Sequence, residues 1–391
     1  MVPALKSGAN QLGTVFHPSM GKSPSVAILS TFPPTQCGLA TFAAALAGGL
    51  QDVGVTNVGI IPVIDSPVIH TDSRVVAQLH PESLQSRVEV ARCVNSFDYL
   101  VIQHEFGIFG GNDGDDLLAL LEDVFVPTIV TLHTVPLLPS DGQRHVLETL
   151  ARRADVLIAM SDAARARFVE LYDVDSQKVL TIPHGATVPP PAELPHGGPV
   201  SLLTWGLLGP GKGVEWVIDA LAMAPELRGK VTYTVAGETH PKVFQRQGEQ
   251  YRNMLKRRAE YLGVEDMVYF DNQYRSVQEL LELIQKFHCV VLPYDSHDQI
   301  TSGVLVDAVV AGRPVIATEF PHAVELTARG VGLVVPHKDP VSMAHAIRQV
   351  VNQPRILSAM ANATVPIAAE HSWTSVASKY AYIGLALTHS E

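Results

Sequence analysis

Residues 294–317 read YDSHDQITSGVLVDAVVAGRPVIA, and this stretch decides the fold class. An apolar run at 288–292, HCVVL, precedes it and predicts a buried strand. Inside the stretch, the apolar periodicity of residues 304–311 predicts a helix, which Gly312-Arg313-Pro314 ends before the next strand begins at Val315. A strand, a helix and a second strand in succession are typical of an α/β protein with a parallel sheet.

Thr301, Ser302 and Gly303 stand where this helix begins and predict an anion site. The first N–H groups of a helix have no partner inside it, and small residues leave those groups open to a ligand. The positive end of the helix dipole adds to the attraction, and phosphate is the usual ligand. The alternative is that the three residues only cap a core helix, so other parts of the chain must decide.

The composition indicates a globular chain with two domains. It has 391 residues, too many for one ordinary domain, and 47% of them are apolar against 17% charged. The formal net charge of −11 counts against nucleic acid as the main partner and against a polybasic membrane patch. It does not exclude an anionic small ligand, which responds to the local field.

The cysteines and the N-terminus indicate the compartment. Cys37, Cys93 and Cys289 lack the CxxC spacing of a zinc or redox site, so free thiols in a reducing compartment are expected. Residues 1–23 contain no apolar signal core and are expected to form a flexible leader. No apolar run reaches the roughly 18 residues that span a bilayer. We therefore expect a cytoplasmic protein without a transmembrane segment.

Short apolar strands alternate with helices on both sides of a proline-rich break. Residues 186–199 contain five prolines and two glycines without apolar periodicity, and they predict a linker. We expect an N-terminal domain at 24–185, a C-terminal domain at 200–370 and a last amphipathic helix at 371–391. Each half has the pattern of a Rossmann-type sheet, which binds ligands at the carboxyl ends of its strands. Two such domains predict a ligand site in the cleft between them.

Residues 206–213, GLLGPGKG, follow a predicted strand and open a helix. They fit G-x-x-x-x-G-K but end in Gly213, where a P-loop hydrolase needs Ser or Thr to hold magnesium. Flexible glycines, a helix N-terminus and the mobile charge of Lys212 still predict phosphate binding. The alternative is a solvent-facing lysine after a turn. Gly38 is the matching glycine of the first half, where a backbone without Cβ lets a ligand approach.

Three histidines and one glutamate follow predicted strands on the ligand side. His104 and Glu105 lie in QHEFGIFGG, His133 lies in TLHT, and His240 follows the strand that ends near residue 237. These side chains are suited to hydrogen bonding with polyol hydroxyls, although each histidine could instead be a satisfied structural residue. HEFGI lacks the second histidine of a zinc protease. The D-x-D at Asp113 stands at a helix start, where acidic residues favour the dipole, so no metal is expected.

Taken together, the motifs resemble those of the family-4 retaining glycosyltransferases. That family has the GT-B fold, two Rossmann-like domains facing each other across a cleft. The resemblance spans nearly the whole chain, and its most specific blocks are GLLGPGKG, QITSGVLVDAVVAGRPVIA and GLVVP. It implies that the second domain binds a nucleotide-sugar donor, that the first binds the acceptor, and that the C-terminal helix returns to the first domain.

The resemblance also implies roles for single residues. Lys212 and His133 match residues on the donor phosphates and the donor sugar, and Gly38 matches a glycine whose amide contacts the diphosphate. The other implied residues form three groups: Thr301, Ser302 and Gly303 at the diphosphate; Gly206, Asp307 and Arg275 at the nucleotide; and His104, Glu105, His133, His240 and Gln299 at the sugar or acceptor. Lys212, His133 and Asp307 are the predicted catalytic residues.

Two departures from the family pattern concern charge. The arginine that usually precedes the lysine falls at Leu207, and Arg275 is a candidate to compensate for it. The family's Glu-x7-Glu falls on Gln299 and Asp307, so the first carboxylate is absent and the second has a shorter reach. These departures keep an alternative open, a catalytically inactive GT-B protein that binds a sugar nucleotide or glycan.

We expect a retaining hexosyltransferase that moves a hexose from a nucleoside diphosphate sugar to a hydroxyl acceptor. GDP-mannose is favoured over UDP-glucose as the donor, so a mannosyltransferase is expected. The acceptor is expected to be a carbohydrate or a glycosylated small molecule, and no cofactor is expected. The resemblance implies front-face displacement, in which an oxygen of the leaving phosphate takes the proton of the acceptor hydroxyl. A phosphorylase is disfavoured, because no lysine has a pyridoxal phosphate context.

Overall fold

The computed structural model describes residues 23–35, 37–66 and 68–389. The leader predicted at 1–23 therefore lies outside the described residues, except for Ser23. The chain forms two compact units. The first runs to Gly185 and resumes at Ser372, and the second is Ala186–His371.

The first unit contains a six-stranded parallel sheet with the strand order β2-β1-β3-β4-β5-β6. Its strands are β1 Val26–Ser30, β2 Val58–Pro62, β3 Tyr99–His104, β4 Thr128–Leu132, β5 Val156–Ala159 and β6 Val179–Thr181. Every residue of β1 to β5 is buried, as expected for a parallel sheet covered on both faces. The order reverses between β1 and β3, which places the switch point of the sheet between those strands.

The helices of the first unit lie between these strands, and the last helix of the chain joins them. They are α1 Gly38–Asp52, α2 Leu84–Val94, α3 Asp116–Leu121, α4 Asp141–Arg153, α5 Asp162–Leu171 and α14 Trp373–Thr388, with a 3-10 turn at Phe106–Ile108. Helix α14 contributes to the core around β1 and α1. The buried hydroxyls of Tyr380 on α14 and Thr131 on β4 are hydrogen-bonded at 2.8 Å.

The second unit contains another six-stranded parallel sheet, with the order β12-β11-β10-β7-β8-β9. Counted within the unit, this is the 3-2-1-4-5-6 order of a Rossmann sheet, with its switch point between β7 and β10. Its strands are β7 Val200–Trp205, β8 Val231–Ala236, β9 Val268–Asp271, β10 Cys289–Leu292, β11 Val315–Thr318 and β12 Gly332–Val335. The predicted α/β class with two Rossmann-like sheets is confirmed.

The helices of the second unit differ from expectation in two places. They are α6 Val214–Ala222, α7 Pro241–Gln247, α8 Gln250–Tyr261, α9 Val277–Ile284, α10 Gly303–Val310, α11 Pro321–Leu326, α12 Pro340–Asn352 and α13 Pro354–His371, with a 3-10 turn at Pro225–Leu227 and a π-turn at Thr327–Val331. Helix α7 was not predicted from the sequence, and Gly248, with φ 57°, separates it from α8. Helix α13 was not predicted from the sequence.

The proline-rich segment 186–199 has no helix and lies against the second unit. Arg313, fully buried beyond α10, donates from Nη2 to the carbonyl oxygens of Glu193 at 3.0 Å and Gln285 at 2.9 Å. Gln285 in turn donates from Nε2 to the carbonyl oxygen of Pro190 at 2.9 Å. The arginine that the sequence suggests as a helix stop thus ties this segment to the sheet.

Candidate functional site

The loops that leave the switch point of the second unit carry the predicted phosphate residues. One loop follows β7 and contains residues 206–213, and the other follows β10 and contains residues 293–302. Because β7 and β10 are neighbours, both loops emerge at the same point of the carboxyl edge. A hydrogen bond joins the two loops, since the amide of Asp295 donates to the carbonyl oxygen of Gly211 at 3.0 Å. The topology therefore brings GLLGPGKG and QITSG together, as a ligand at this edge requires.

Gly213 explains why the first loop departs from a P-loop. It is the N-cap of α6 and has φ 69°, in the left-handed region that favours glycine. A Cβ at this position would overlap the carbonyl oxygen of Pro293, at the end of β10. The serine or threonine of a P-loop hydrolase therefore cannot be accommodated here.

Lys212 is a half-buried cation that faces no carboxylate. Its Nζ lies 4.7 Å from the centroid of the Tyr294 ring, and burial lowers its pKa. Among the residues that the structure describes, no Asp or Glu oxygen lies within the 4.0 Å of an ion pair with it. A desolvated cation of this kind gains free energy when an anion binds beside it. The loop is therefore suited to phosphate.

The start of α10 offers fewer free amides than expected. Ser302 is the N-cap, and its Oγ accepts from the amide of Leu305 at 3.2 Å. Its own amide donates to Nδ1 of His322 at 2.9 Å, and the residue is only 2% exposed. This corrects the prediction that Ser302 supplies a phosphate amide, because the donor is already used. Thr301 and Gly303 are half-buried beside it, and Thr301 Oγ1 is a buried hydroxyl for which the described residues provide no partner.

Asp307 lies half-buried on α10, one helical turn beyond Gly303. Burial raises its pKa to about 7, so the carboxyl carries a full negative charge only above neutral pH. It was predicted as a carboxylate for ribose hydroxyls, and a protonated carboxyl can still both donate and accept hydrogen bonds. Gln299 is half-buried on the loop before the helix.

A cavity of about 200 Å³ lies at the carboxyl ends of β7 and β8 in the second unit. Its lining is mostly apolar and includes Trp205, Gly206, Leu207, Tyr274, Arg275 and Leu280. The structure thus brings two predicted nucleotide residues, Gly206 and Arg275, to one cavity. Its size and its aromatic lining suit a flat heterocycle.

Arg275 does not supply the charge that Leu207 lacks. Its guanidinium forms an ion pair with Asp271 at the end of β9, and both side chains are largely buried. Because that carboxylate neutralises it, the suggestion that Arg275 compensates for the missing arginine is not supported. His240, predicted at the sugar, is the N-cap of α7, and its Nδ1 accepts from the amide of Lys242 at 3.2 Å.

In the first unit, the switch point lies between β1 and β3, and Gly38 follows β1. Gly38 is the first residue of α1, and Cys37 caps the helix by accepting from the amide of Ala40 at 3.4 Å. Gly38 is exposed, and a Cβ built on it would meet no described residue within 4 Å beyond its chain neighbours and its own helix backbone. Packing among the described residues therefore does not explain the glycine, and its small size leaves room for a ligand at the helix start.

His104 ends β3 and is fully enclosed. Its ring stacks on Phe109 at 6.1 Å and meets Phe106 edge-on at 5.0 Å, and burial lowers its pKa to about 3. This corrects the prediction that His104 contacts a sugar or acceptor, because no part of the side chain reaches the surface.

Of the residues predicted at the sugar or acceptor in the first unit, His133 and Glu105 stay partly accessible. His133 Nε2 lies 2.8 Å from Oε1 of Gln103, and burial, with His184 and His104 nearby, lowers its pKa to about 3. The ring is therefore neutral near pH 7. Glu105 accepts hydrogen bonds from the hydroxyl of Thr134 and from the amide of Phe106. These polar groups can serve hydroxyls of an acceptor.

The acidic cluster at Asp113 is engaged in hydrogen bonds within the first unit. Asp113 Oδ2 accepts from Ser140 Oγ at 2.7 Å, and Asp115 Oδ1 accepts from the amide of Asn112 at 2.9 Å. Asp115 is the N-cap of α3 but makes no side-chain cap bond, so capping is weaker than predicted. Among the described residues, no three His, Cys, Asp or Glu side chains are grouped as a metal site requires.

Comparison with known proteins gives the class. Residues 38–188 match the model of "Glycosyltransferase Family 4", and residues 199–353 match that of "Glycosyl transferases group 1". The chain belongs to this glycosyltransferase family, and the predicted resemblance is confirmed. It is 26% identical over 349 residues to the D-inositol 3-phosphate glycosyltransferase of Frankia alni. The match covers 79% of this chain and 82% of the relative.

Solved structures show the same fold. Anabaena Alr3699/HepE in complex with UDP superposes with a TM-score of 0.74 at 18% identity, over 92% of this chain and 99% of that one. Sucrose-phosphate synthase from Thermosynechococcus elongatus gives a TM-score of 0.72 at 17% identity, over 92% and 98%. The GT-B fold class is therefore confirmed. Within the described residues, no helix is long and apolar enough to cross a membrane.

Sequence reasoning missed Tyr294, Gln103 and His322 at these sites. Tyr294 lies under the Lys212 ammonium, Gln103 holds the His133 ring, and His322 holds the Ser302 amide. Two of them directly border predicted residues, since Gln103 precedes His104 and Tyr294 opens the 294–317 stretch. Their position at strand ends is the signal that could have marked them, whereas His322 contacts Ser302 only through the tertiary fold.

Proposed function

We propose that this glycosyltransferase transfers a hexose, with retention of configuration, from a nucleoside diphosphate sugar to a hydroxyl acceptor. The observation that carries the proposal is Lys212, a half-buried ammonium without a carboxylate partner at the switch point of the second unit. An enzyme that must bind a diphosphate and stabilise it as it leaves needs such an unpaired cation. The second unit is therefore the proposed donor unit.

The nucleotide is proposed to occupy the cavity at Gly206 and Trp205. A base would lie against the aromatic lining, and its ribose and diphosphate would extend towards Asp307 and Lys212. The preference for GDP-mannose rests on the family resemblance. UDP-glucose is the competing donor, because structures of the similar Anabaena protein contain UDP and UDP-glucose. Both donors belong in the test.

The acceptor is proposed to bind the first unit at Glu105 and His133. Neutral His133 and the Glu105–Thr134 pair provide hydrogen-bond acceptors and donors for a polyol. Because the relative from Frankia alni is a D-inositol 3-phosphate glycosyltransferase, an inositol phosphate belongs in the acceptor panel beside simple sugars and glycosylated small molecules.

The proposed reaction is a front-face displacement. The bond between the sugar C1 and the leaving phosphate oxygen breaks, the acceptor oxygen bonds to C1 on the same face, and its proton moves to the phosphate. Negative charge grows on the leaving diphosphate, and we propose that Lys212 and the amide of Gly303 stabilise it. We propose that no metal takes part, because the D-x-D carboxylates already accept hydrogen bonds, Asp113 from Ser140 and Asp115 from the amide of Asn112.

The test compares the wild type with Lys212→Ala. Isothermal titration with UDP, GDP and ADP measures binding, and nucleotide release from UDP-glucose and GDP-mannose measures turnover. We expect one nucleotide to bind, turnover with the matching donor, and loss of both in the variant without loss of the folded state. Full activity of Lys212→Ala would refute the assignment of the phosphate site.

A second candidate is a non-catalytic protein that binds a nucleotide sugar. It is favoured by Gln299, which cannot supply the carboxylate expected there, and by Leu207, which removes one cation. The two candidates are separated by the same assay. Binding of a nucleotide sugar without nucleotide release, across the whole acceptor panel, would support the non-catalytic protein.

A further inference from the structure

Tyr294 forms an aromatic floor beneath the Lys212 ammonium. Its side chain is only 2% exposed, and Lys212 Nζ lies 4.7 Å from the ring centroid. A cation within about 6 Å of a ring face is attracted by the negative face of the ring quadrupole. The contact therefore holds the ammonium in one place at the end of its flexible side chain.

The Tyr294 ring is itself held firmly. It stacks on Phe320, with a centroid distance of 5.5 Å and an interplanar angle of 27°. Its carbonyl oxygen accepts from Thr318 Oγ1 at 2.7 Å and lies 2.7 Å from Nδ1 of His337. Groups from β11, from the start of α11 and from the loop after β12 thus fix the floor before any ligand arrives.

The choice of partner for Lys212 matters for anion binding. A carboxylate would neutralise the ammonium and would have to give up the ion pair when a phosphate arrived. An aromatic ring attracts the cation without a net negative charge, so the charge stays available. This is important here because Leu207 stands where a second cation is expected and Arg275 is paired with Asp271.

The hydroxyl of Tyr294 takes no part in holding the ammonium. It is buried, and the described residues offer it no hydrogen-bond partner. Burial raises the pKa of Tyr294, and the nearby Asp307 raises it further, so the hydroxyl remains a neutral donor. Replacing tyrosine by phenylalanine therefore breaks no hydrogen bond among the described residues and keeps the ring.

We propose that Tyr294 is a positioning residue that holds the Lys212 ammonium charged, free of a carboxylate and ready for the donor diphosphate. The proposal rests on the proposed function, because it names the group that prepares the same phosphate site. The ring performs this role and the hydroxyl does not. Phenylalanine should therefore replace tyrosine, and an aliphatic residue should not.

The experiment uses Tyr294→Phe and Tyr294→Leu beside the wild type and Lys212→Ala. Titration with UDP and GDP should show Tyr294→Leu weakened by about 3- to 30-fold, the range expected for a partly desolvated cation–ring contact. Tyr294→Phe should stay within about threefold of the wild type, since its ring is retained. Equal binding by Tyr294→Leu and the wild type, or equal weakening of both Tyr294 variants, would overturn the proposal.

A measurement without a ligand separates this proposal from the proposed function. Lysines are methylated with ¹³C-formaldehyde, and the Lys212 signal is identified by its absence in Lys212→Ala. We expect an upfield ring-current shift in the wild type and Tyr294→Phe that is lost in Tyr294→Leu, while all variants keep the circular dichroism of the wild type. If the wild type binds neither nucleotide, the proposed function fails, and the ring-current shift still decides the position of Lys212.

Discussion

Replacement of Lys212 by methionine gives the sharpest test of the phosphate site. Methionine keeps an unbranched side chain of similar length and removes the charge. Because Lys212 faces the Tyr294 ring and no carboxylate of the described residues, the variant leaves no buried partner charge behind. The substitution therefore removes an interaction with the ligand and little else.

The magnitude follows from the charge on the leaving group. One donor that stabilises developing negative charge in a water-poor site contributes about 2.7–4 kcal/mol, which corresponds to about 10²–10³ in kcat. The upper part of this range is expected, since Arg275 is neutralised by Asp271 and Leu207 carries no charge. A weaker nucleotide affinity should accompany the loss of rate.

The thermal stability of Lys212→Met, unlike its activity, should rise or stay unchanged. Burial lowers the pKa of Lys212, so the folded state holds this proton less tightly than the unfolded state. The charged form therefore costs stability below that lowered pKa, and the cost disappears as pH rises towards the ordinary 10.5. At pH 7.5 the Tm of Lys212→Met should equal or exceed that of the wild type.

The assay is initial-rate nucleotide release, with kcat and KM measured separately and Tm measured on the same samples. Lys286→Ala is the matched control, because Lys286 is an exposed lysine of the same unit. The control should keep the rate of the wild type. A Lys212→Met variant within threefold of the wild-type kcat would refute the reasoning, whereas a large fall in Tm would show that the lysine is structural.

Three further predictions concern neighbouring residues. Asp307→Asn should raise Tm at pH 8 and leave it unchanged below pH 4. Burial raises the pKa of Asp307 to about 7, so this residue costs stability only at a pH where its carboxyl must ionise. A change in Tm that does not depend on pH would contradict this. Gly213→Ser should lower the free energy of unfolding by about 2 kcal/mol or more in urea titrations, since a Cβ meets the Pro293 carbonyl at positive φ, and wild-type stability would refute the overlap. Leu207→Arg should tighten the binding of UDP or GDP by about tenfold at low salt and by less at 0.5 M NaCl, because Leu207 is exposed enough to bring a cation to the nucleotide. Equal gains at both salt concentrations would argue against an electrostatic cause.

Local patterns in the sequence were sufficient to predict the two sheets. Strand length, apolar runs and turn residues act over a few residues, so the alternation of strands and helices can be read without knowing the fold. The same holds for GLLGPGKG and for Gly38, whose chemistry depends on their own backbone. These features, with the family resemblance, established the class of enzyme.

The tertiary structure decided which of these residues remain free to bind a ligand. The Ser302 amide donates to His322, Arg275 forms an ion pair with Asp271, and aromatic rings enclose His104. Lys212, in contrast, contacts the Tyr294 ring and has no carboxylate partner among the described residues. Each pairing joins side chains from different elements, and local periodicity does not encode such contacts. The sequence by itself therefore indicated the loops of the proposed phosphate site in the second unit, and only the packing of β10, β11 and β12 decided which of their groups are already paired within the fold.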